Sequence, residues 1–337
     1  MNRIEQRTGP SGPVFFLLLL TVALLPACVP RATQPPTFDL DQVHESGAHR
    51  IAFDSGSRRL ASGGLHGGVR IWSLADGAEL HRLRVHHSRI TGLAWLDEGR
   101  VISADRAGWL MINTVAGGDT VHAVKLSRID KLRVSPDRNW LVIANPDGLR
   151  RLSLPGLETT AQRHLQATPL ALAIAPTGDR LAVSDRDARV QLLDTGLQTL
   201  RELPRPSRDA QDLVFSPDGN TLLGGGWFKL LVWDLRQNRL KEYPTEHLGK
   251  INSVAISPDG AHWLSLGRET DSHFLMTNAV SHQVERRFQA LPLCGQQARF
   301  SPDGRYAASS SDDGSVHIYD LQAPYQPRVP YFVEDEY

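Results

Sequence analysis

The chain has 337 residues, 41% of them apolar and 22% charged, with lysine plus arginine and aspartate plus glutamate both at 37. That apolar fraction can fill a sizeable core and excludes a wholly disordered chain; zero formal charge argues against a general nucleic-acid binder, which needs a basic surface. Cys28 and Cys294 are the only two cysteines, which excludes a disulfide framework, while 28 glycines and 21 prolines point to the many turns of an all-β fold.

Residues 1–27 read as a targeting segment. Arg3 and Arg7 precede Pro10 and Pro13, and residues 14–25 (VFFLLLLTVALL) carry no charge. Twelve apolar residues are too few to span a bilayer but suit the apolar region of a signal peptide. The run ends in Leu25-Pro26-Ala27-Cys28, which resembles the bacterial lipobox. The resemblance implies cleavage before Cys28 and a diacylated Cys28 as membrane anchor, since two acyl chains hold stably. Val29, where an aspartate would favour retention in the inner membrane, implies the outer membrane of a bacterial envelope, facing the periplasm. Residues 28–37, with three prolines, read as an extended tether.

From there on the chain repeats itself. Ser135-Pro136-Asp137-Arg138, Ala175-Pro176-Thr177-Gly178, Ser216-Pro217-Asp218-Gly219, Ser257-Pro258-Asp259-Gly260 and Ser301-Pro302-Asp303-Gly304 begin 40, 41, 41 and 44 residues apart, and weaker copies sit at Asp54 and Leu96. Each marks a turn: proline presets φ, aspartate bonds back to the backbone, and glycine accepts positive φ. In the last unit the turn follows an extended run at 297–300, a strand follows at 306–310, Asp312-Asp313-Gly314 turns again, and 316–321 alternates as a third strand. The strands are too closely spaced for crossover helices. Seven such units closing in a ring predict a seven-bladed β-propeller of four-stranded blades over residues 38–328.

Trp72, Trp233-Asp234 and Tyr319-Asp320 stand near the end of the third strand of their units, and with the period they make the chain resemble the WD-repeat family. In that family a histidine, a serine, an aspartate and the tryptophan of one blade form a structural hydrogen-bonded tetrad. The resemblance implies His44, His86 and His247 as its histidines, Ser62, Ser103 and Ser309 as its serines, and Asp187 and Asp313 as its aspartates, beside Trp72, Trp233 and Tyr319. No blade carries all four: His66 stands at the aspartate position of blade 1, Ala107 and Asn113 at two positions of blade 2, and Leu291 in place of the histidine of blade 7. The family also closes its ring with an N-terminal strand on the last blade. Residues 38–43 alternate as that strand should, whereas the prolines after 321 cannot donate ladder bonds. Residues 329–337 are left as an acidic tail.

Catalytic, metal and cofactor signals are lacking. The 13 histidines include no HxH or HExxH, and neither a G-x-S-x-G elbow nor a P-loop occurs. Gly63-Gly64 and Gly224-Gly225-Gly226 read as tight b–c turns, the acidic group of Glu269 and Asp271 and the pair Asp312-Asp313 as solvated turn caps, and Cys294 as a small buried residue. The starts of the inner strands show no concentration of histidine, arginine and acids of the kind that lines the channel of lactonase or quinoprotein propellers. What remains is a loop face carrying Trp109, Trp227, Phe228, Arg106, Arg268 and His66, residue types that anchor interfaces. Trp227 is expected to stand exposed after its glycines, with Phe228 pointing the other way. The expectation is a monomeric, non-catalytic, membrane-anchored interaction platform for a protein or peptide, without nucleic acid. The alternative is a periplasmic propeller enzyme, favoured by titratable groups gathered in the channel.

Overall fold

The computed structural model describes residues 32–41, 43–268 and 271–328. Cys28, the expected signal segment and the expected acidic tail lie outside them. The described residues form 28 strands and no helix, arranged as seven four-stranded antiparallel sheets. Within each blade the strands run a to d from the axis outward. The inner a strands are Ala48–Phe53, Ile90–Trp95, Lys131–Val134, Pro169–Ile174, Asp212–Phe215, Ile251–Ile256 and Gly295–Phe300.

The recurring Ser-Pro-Asp-Gly turns join strands a and b. Ser301 Oγ donates to Asp303 (2.5 Å) and accepts the Tyr306 N–H (2.8 Å), while Gly304 turns back at φ 74°. Ser216 and Ser257 repeat this arrangement with Gly219 and Gly260. Arg138 takes the same left-handed conformation (φ 59°) in the copy that lacks the glycine.

The blades pack face to face, so each core is shared between neighbours. Leu60 and Trp72 of blade 1 bury against Ala308 and Ile318 of blade 7. Phe274 and Phe288 of blade 6 stack at 4.6 Å and meet Tyr319 of blade 7 at 5.7 and 4.5 Å. Gly63, Gly64, Gly224 and Gly225 belong to b strands rather than to turns, which corrects the sequence reading, while Gly226 follows the strand in the b–c connection. Gly63 and Gly225 lie in b strands, where a Cβ would come within 2.6 Å of Ile90 and 2.5 Å of the Ile251 carbonyl.

Closure uses the N-terminal strand, but a shorter one than expected. Phe38–Leu40 pairs antiparallel with Val316–Asp320 of blade 7, in the register Phe38 to Ile318 and Leu40 to Val316. The preceding tether is not free along its described part. Thr33 exchanges backbone bonds with Arg328, and Gln34 is clamped between Arg287 and Gln289 of blade 6. Gln34 is accordingly buried. The seam therefore engages the chain from Thr33 onward.

In five blades the register of strand a shifts by one residue near its start: at Ala48/Arg50, Ile90/Gly92, Pro169/Ala171, Ile251/Ser253 and Gly295/Gln297. Such bulges re-aim the side chains that follow them. The inner strands Lys131–Val134 and Asp212–Phe215 carry none.

Candidate functional site: the loop face and the central channel

The b–c and d–a loops share one face, and beneath it lie the predicted tetrad positions. In blade 1, Ser62 Oγ is bonded at 2.8 Å to both His44 Nε2 and the Trp72 indole N–H. In blade 2, His86 reaches Ser103 (2.8 Å) and, through Nδ1, Asp105 (3.2 Å). The carboxylate comes two residues after the serine, whereas the family spacing pointed to Ala107; Asn113 instead bonds Thr120. In blade 6, His247 binds Ser265 (2.9 Å) and Asp271 (2.8 Å). Asp271 is thus no solvated cap. It is fully buried, and although burial alone would raise its pKa, bonds from His247 and His273 hold it far below the usual carboxylate range.

The other five assignments are not assembled. Asp187 is exposed, and Asp185 caps that turn instead. The Trp233 indole donates to the Pro204 carbonyl (2.8 Å). Ser309 Oγ has no hydrogen-bond partner among the described residues, and Asp313 caps its own turn through Ser315. The Tyr319 hydroxyl meets His317 and the Gln289 carbonyl. Without a histidine at Leu291 nothing draws the blade 7 groups together.

Above these networks stand the proposed binding residues. His66 and Arg106 are exposed in their b–c turns, and Arg268 is half-buried with its N–H on the Lys250 carbonyl. Trp109 begins a c strand, 39% exposed, with the Lys125 ammonium 5.2 Å from its ring. Trp227 is half-buried: its indole donates to Asp209 (3.3 Å), and Lys250 lies 4.6 Å from the ring centroid. Phe228 does not point away in an extended run. Its backbone is left-handed (φ 61°), its ring lies 6.3 Å from that of Trp227, and it is 49% exposed. Leu248, on the adjoining d–a loop, is 66% exposed. Cys294, on the next d–a loop, is half-buried rather than buried.

The channel holds what the sequence reading did not find. Arg50, Lys131, Arg133, Asp212 and Arg299 all come from inner strands. Asp212 accepts from Arg133 (3.1 Å), Ser253 Oγ (3.1 Å) and the Val254 N–H (3.2 Å), and Arg299 stands 3.8 Å away. Burial opposes its ionisation, but Arg133, Arg299 and Lys131 keep its pKa low. Arg50 donates to the carbonyls of Thr91 (2.8 Å) and His49 (2.7 Å). Burial and the neighbouring arginines push Arg50 down to about 9, and burial and Arg50 push Lys131 down to about 7. The channel forms a cavity of about 550 Å³ that opens among the a–b turns, on the face opposite the loops.

The profile of the family described as "WD domain, G-beta repeat" matches residues 37–73 and 295–320, the two blades that meet at the seam. The chain is 23% identical over 252 residues to "Guanine nucleotide-binding protein subunit beta" of Zea mays, covering 69% of this chain and 64% of that protein. It is 24% identical over 287 residues to "Autophagy-related protein 16" of Arabidopsis thaliana, covering 82% and 48%. It is 29% identical over 188 residues to "tRNA (guanine-N(7)-)-methyltransferase non-catalytic subunit wdr4" of Xenopus laevis, covering 52% and 45%. The matches therefore span less than two thirds of each of these relatives. Taken with seven four-stranded blades closed by an N-terminal strand, these matches support a WD-repeat β-propeller.

Proposed function

We propose that the protein is a non-catalytic interaction platform whose loop face, centred on Phe228, Trp227 and Leu248, docks a protein or peptide. The observation that carries this reading is the backbone of Phe228. A bulky residue at positive φ costs roughly 1–2 kcal/mol. The loop holds it there through the Phe228 N–H on the Gly249 carbonyl and the Thr245 N–H and hydroxyl on the Phe228 carbonyl, at 2.9, 2.9 and 3.0 Å. That strain keeps half of an aromatic ring in water beside Leu248, where ring burial by a partner would recover it. Two of the relatives are named as subunits, which supports the same reading.

Phe228→Gly tests it, because glycine relieves the strain and removes the anchor together. The variant is expected to melt at or slightly above the wild-type temperature and to lose about thirtyfold in partner affinity, the roughly 2 kcal/mol of an interface aromatic. A destabilised variant with intact binding would make Phe228 a structural residue and end this reading.

Lipid attachment at Cys28 and an envelope location facing the periplasm belong to the same proposal, supported by the charge-free run at 14–25 that ends at the cysteine. A Cys28→Ser protein is expected to leave the membrane fraction or keep its leader; unchanged membrane binding and gel mobility would refute the anchor. Channel groups raise the enzymatic alternative, but their one carboxylate, Asp212, is engaged by three hydrogen-bond donors and held ionised, which makes it a poor base.

A further inference from the structure

We propose that the central channel is a binding site for a small multivalent oxyanion of the pyrophosphate type, held by Arg50, Arg133 and Arg299, with Lys131 close by on its inner strand. These three arginines line the cavity and one carboxylate, Asp212, stands against two of them, an excess of two positive charges to which Lys131, lowered to about 7, adds only in part. Asp130, next to Lys131 in the chain, is already paired with Arg128 at 2.8 Å. Charge of one sign in an enclosed channel attracts and concentrates the opposite sign, and low-dielectric walls strengthen the attraction.

Donors remain for a ligand. The Lys131 side chain makes no hydrogen bond or ion pair with any described residue, and the hydrogen bonds of Arg50 use Nε and Nη1, leaving Nη2. Arg133 and Arg299 spend part of their guanidinium groups on Asp212 and on the Leu132 and Ala298 carbonyls. They fix the geometry, while Arg50 supplies an unengaged donor on the cavity wall. Guanidinium groups suit oxyanions because their parallel N–H donors match two oxygens at once. The cavity of about 550 Å³ is of a size that takes small molecules. Its mouth is ringed by Pro136, Pro258, Pro302 and Arg138, so a ligand enters from the face opposite Phe228. The site is independent of the docking surface.

Isothermal titration calorimetry with sodium pyrophosphate, on the described propeller within the full chain, tests the proposal, with sodium chloride at matched ionic strength as control. Saturable binding of one pyrophosphate per chain is expected. Arg50→Gln, which removes a donor from the cavity wall, should weaken it by at least about tenfold, and Lys131→Met, which removes a nearby charge, by less. Lys131→Met removes no side-chain hydrogen bond or ion pair with a described residue, so its fold is expected to persist, and circular dichroism checks this. Citrate at the same concentration separates the sources: pyrophosphate alone assigns a phosphate ligand, and both together assign a polyanion site read by charge. No saturable binding at millimolar pyrophosphate, or equal binding by the wild type and both variants, would overturn the site.

Discussion

Asp212→Asn is expected to destabilise the propeller by about 3–5 kcal/mol, the range found when one partner of a buried charge cluster is removed. Asparagine keeps the size of the side chain, so the effect isolates the charge. Asp212 joins Arg133 of blade 3, Ser253 and Val254 of blade 6 and Arg299 of blade 7 to its own blade 5. Without its charge, four cations face one another across the channel. For a domain of this size the melting temperature should fall by on the order of 10 °C. Adding Lys131→Met to Asp212→Asn should restore part of the loss, because it removes one of the unbalanced charges; contacting charges are not additive. A fall of less than about 2 °C in Asp212→Asn would mean that the cluster contributes little to the ring.

The second large effect is acid sensitivity. His44 and His49 are buried and are expected to stay neutral in the folded protein. Burial, with Arg70 beside His44 and Arg89 beside His49, lowers His44 to about 4 and His49 to about 3. An unfolded histidine takes its proton near 6.5. As pH falls from about 6.5 to about 4, the unfolded chain binds more protons than the folded one, and stability drops. At 1.36 kcal/mol per pH unit for each group, the two histidines together cost on the order of 5 kcal/mol by pH 4. His86 and His317 shift in the same direction, burial being the main cause. Asp271 adds its loss only further down, below the ordinary carboxylate range, because its folded pKa is depressed. Urea unfolding at pH 7, 5.5 and 4.5 measures this. The midpoint should fall steadily, and His49→Gln should flatten the slope; a midpoint constant over that range would contradict the neutral, buried state of these residues.

The ring was legible because turn chemistry repeats at nearly constant spacing, and Ser-Pro-Asp-Gly turns are local features that sequence records directly. Closure was legible for the same reason: alternation at 38–43 and prolines after 321 left one candidate for the outer strand. The tetrads were half legible. His44, His86 and His247 stand at a fixed distance from strand a, but Asp105 and Asp271 reach their histidines from two and six residues beyond the serine, where a fixed spacing of four misses them. The channel cluster was illegible for another reason. Arg133 and Asp212 are 79 residues apart, and each inner strand supplies only one or two charges, so no window of sequence contains the site. Phe228 escaped as well, since nothing in the residue types around it announces a left-handed phenylalanine.

The central claim is that a partner docks on the loop face at Phe228. Photo-crosslinking in intact cells tests it most directly, with a benzophenone side chain placed at position 228 and, as control, at position 280. Val280 is 85% exposed on a c–d turn of blade 6, at the opposite face. The reporter at 228 should capture one discrete protein or peptide, and the reporter at 280 should capture none of it. Capture of the same species from 280, or no adduct from 228 alone, would contradict the docking face.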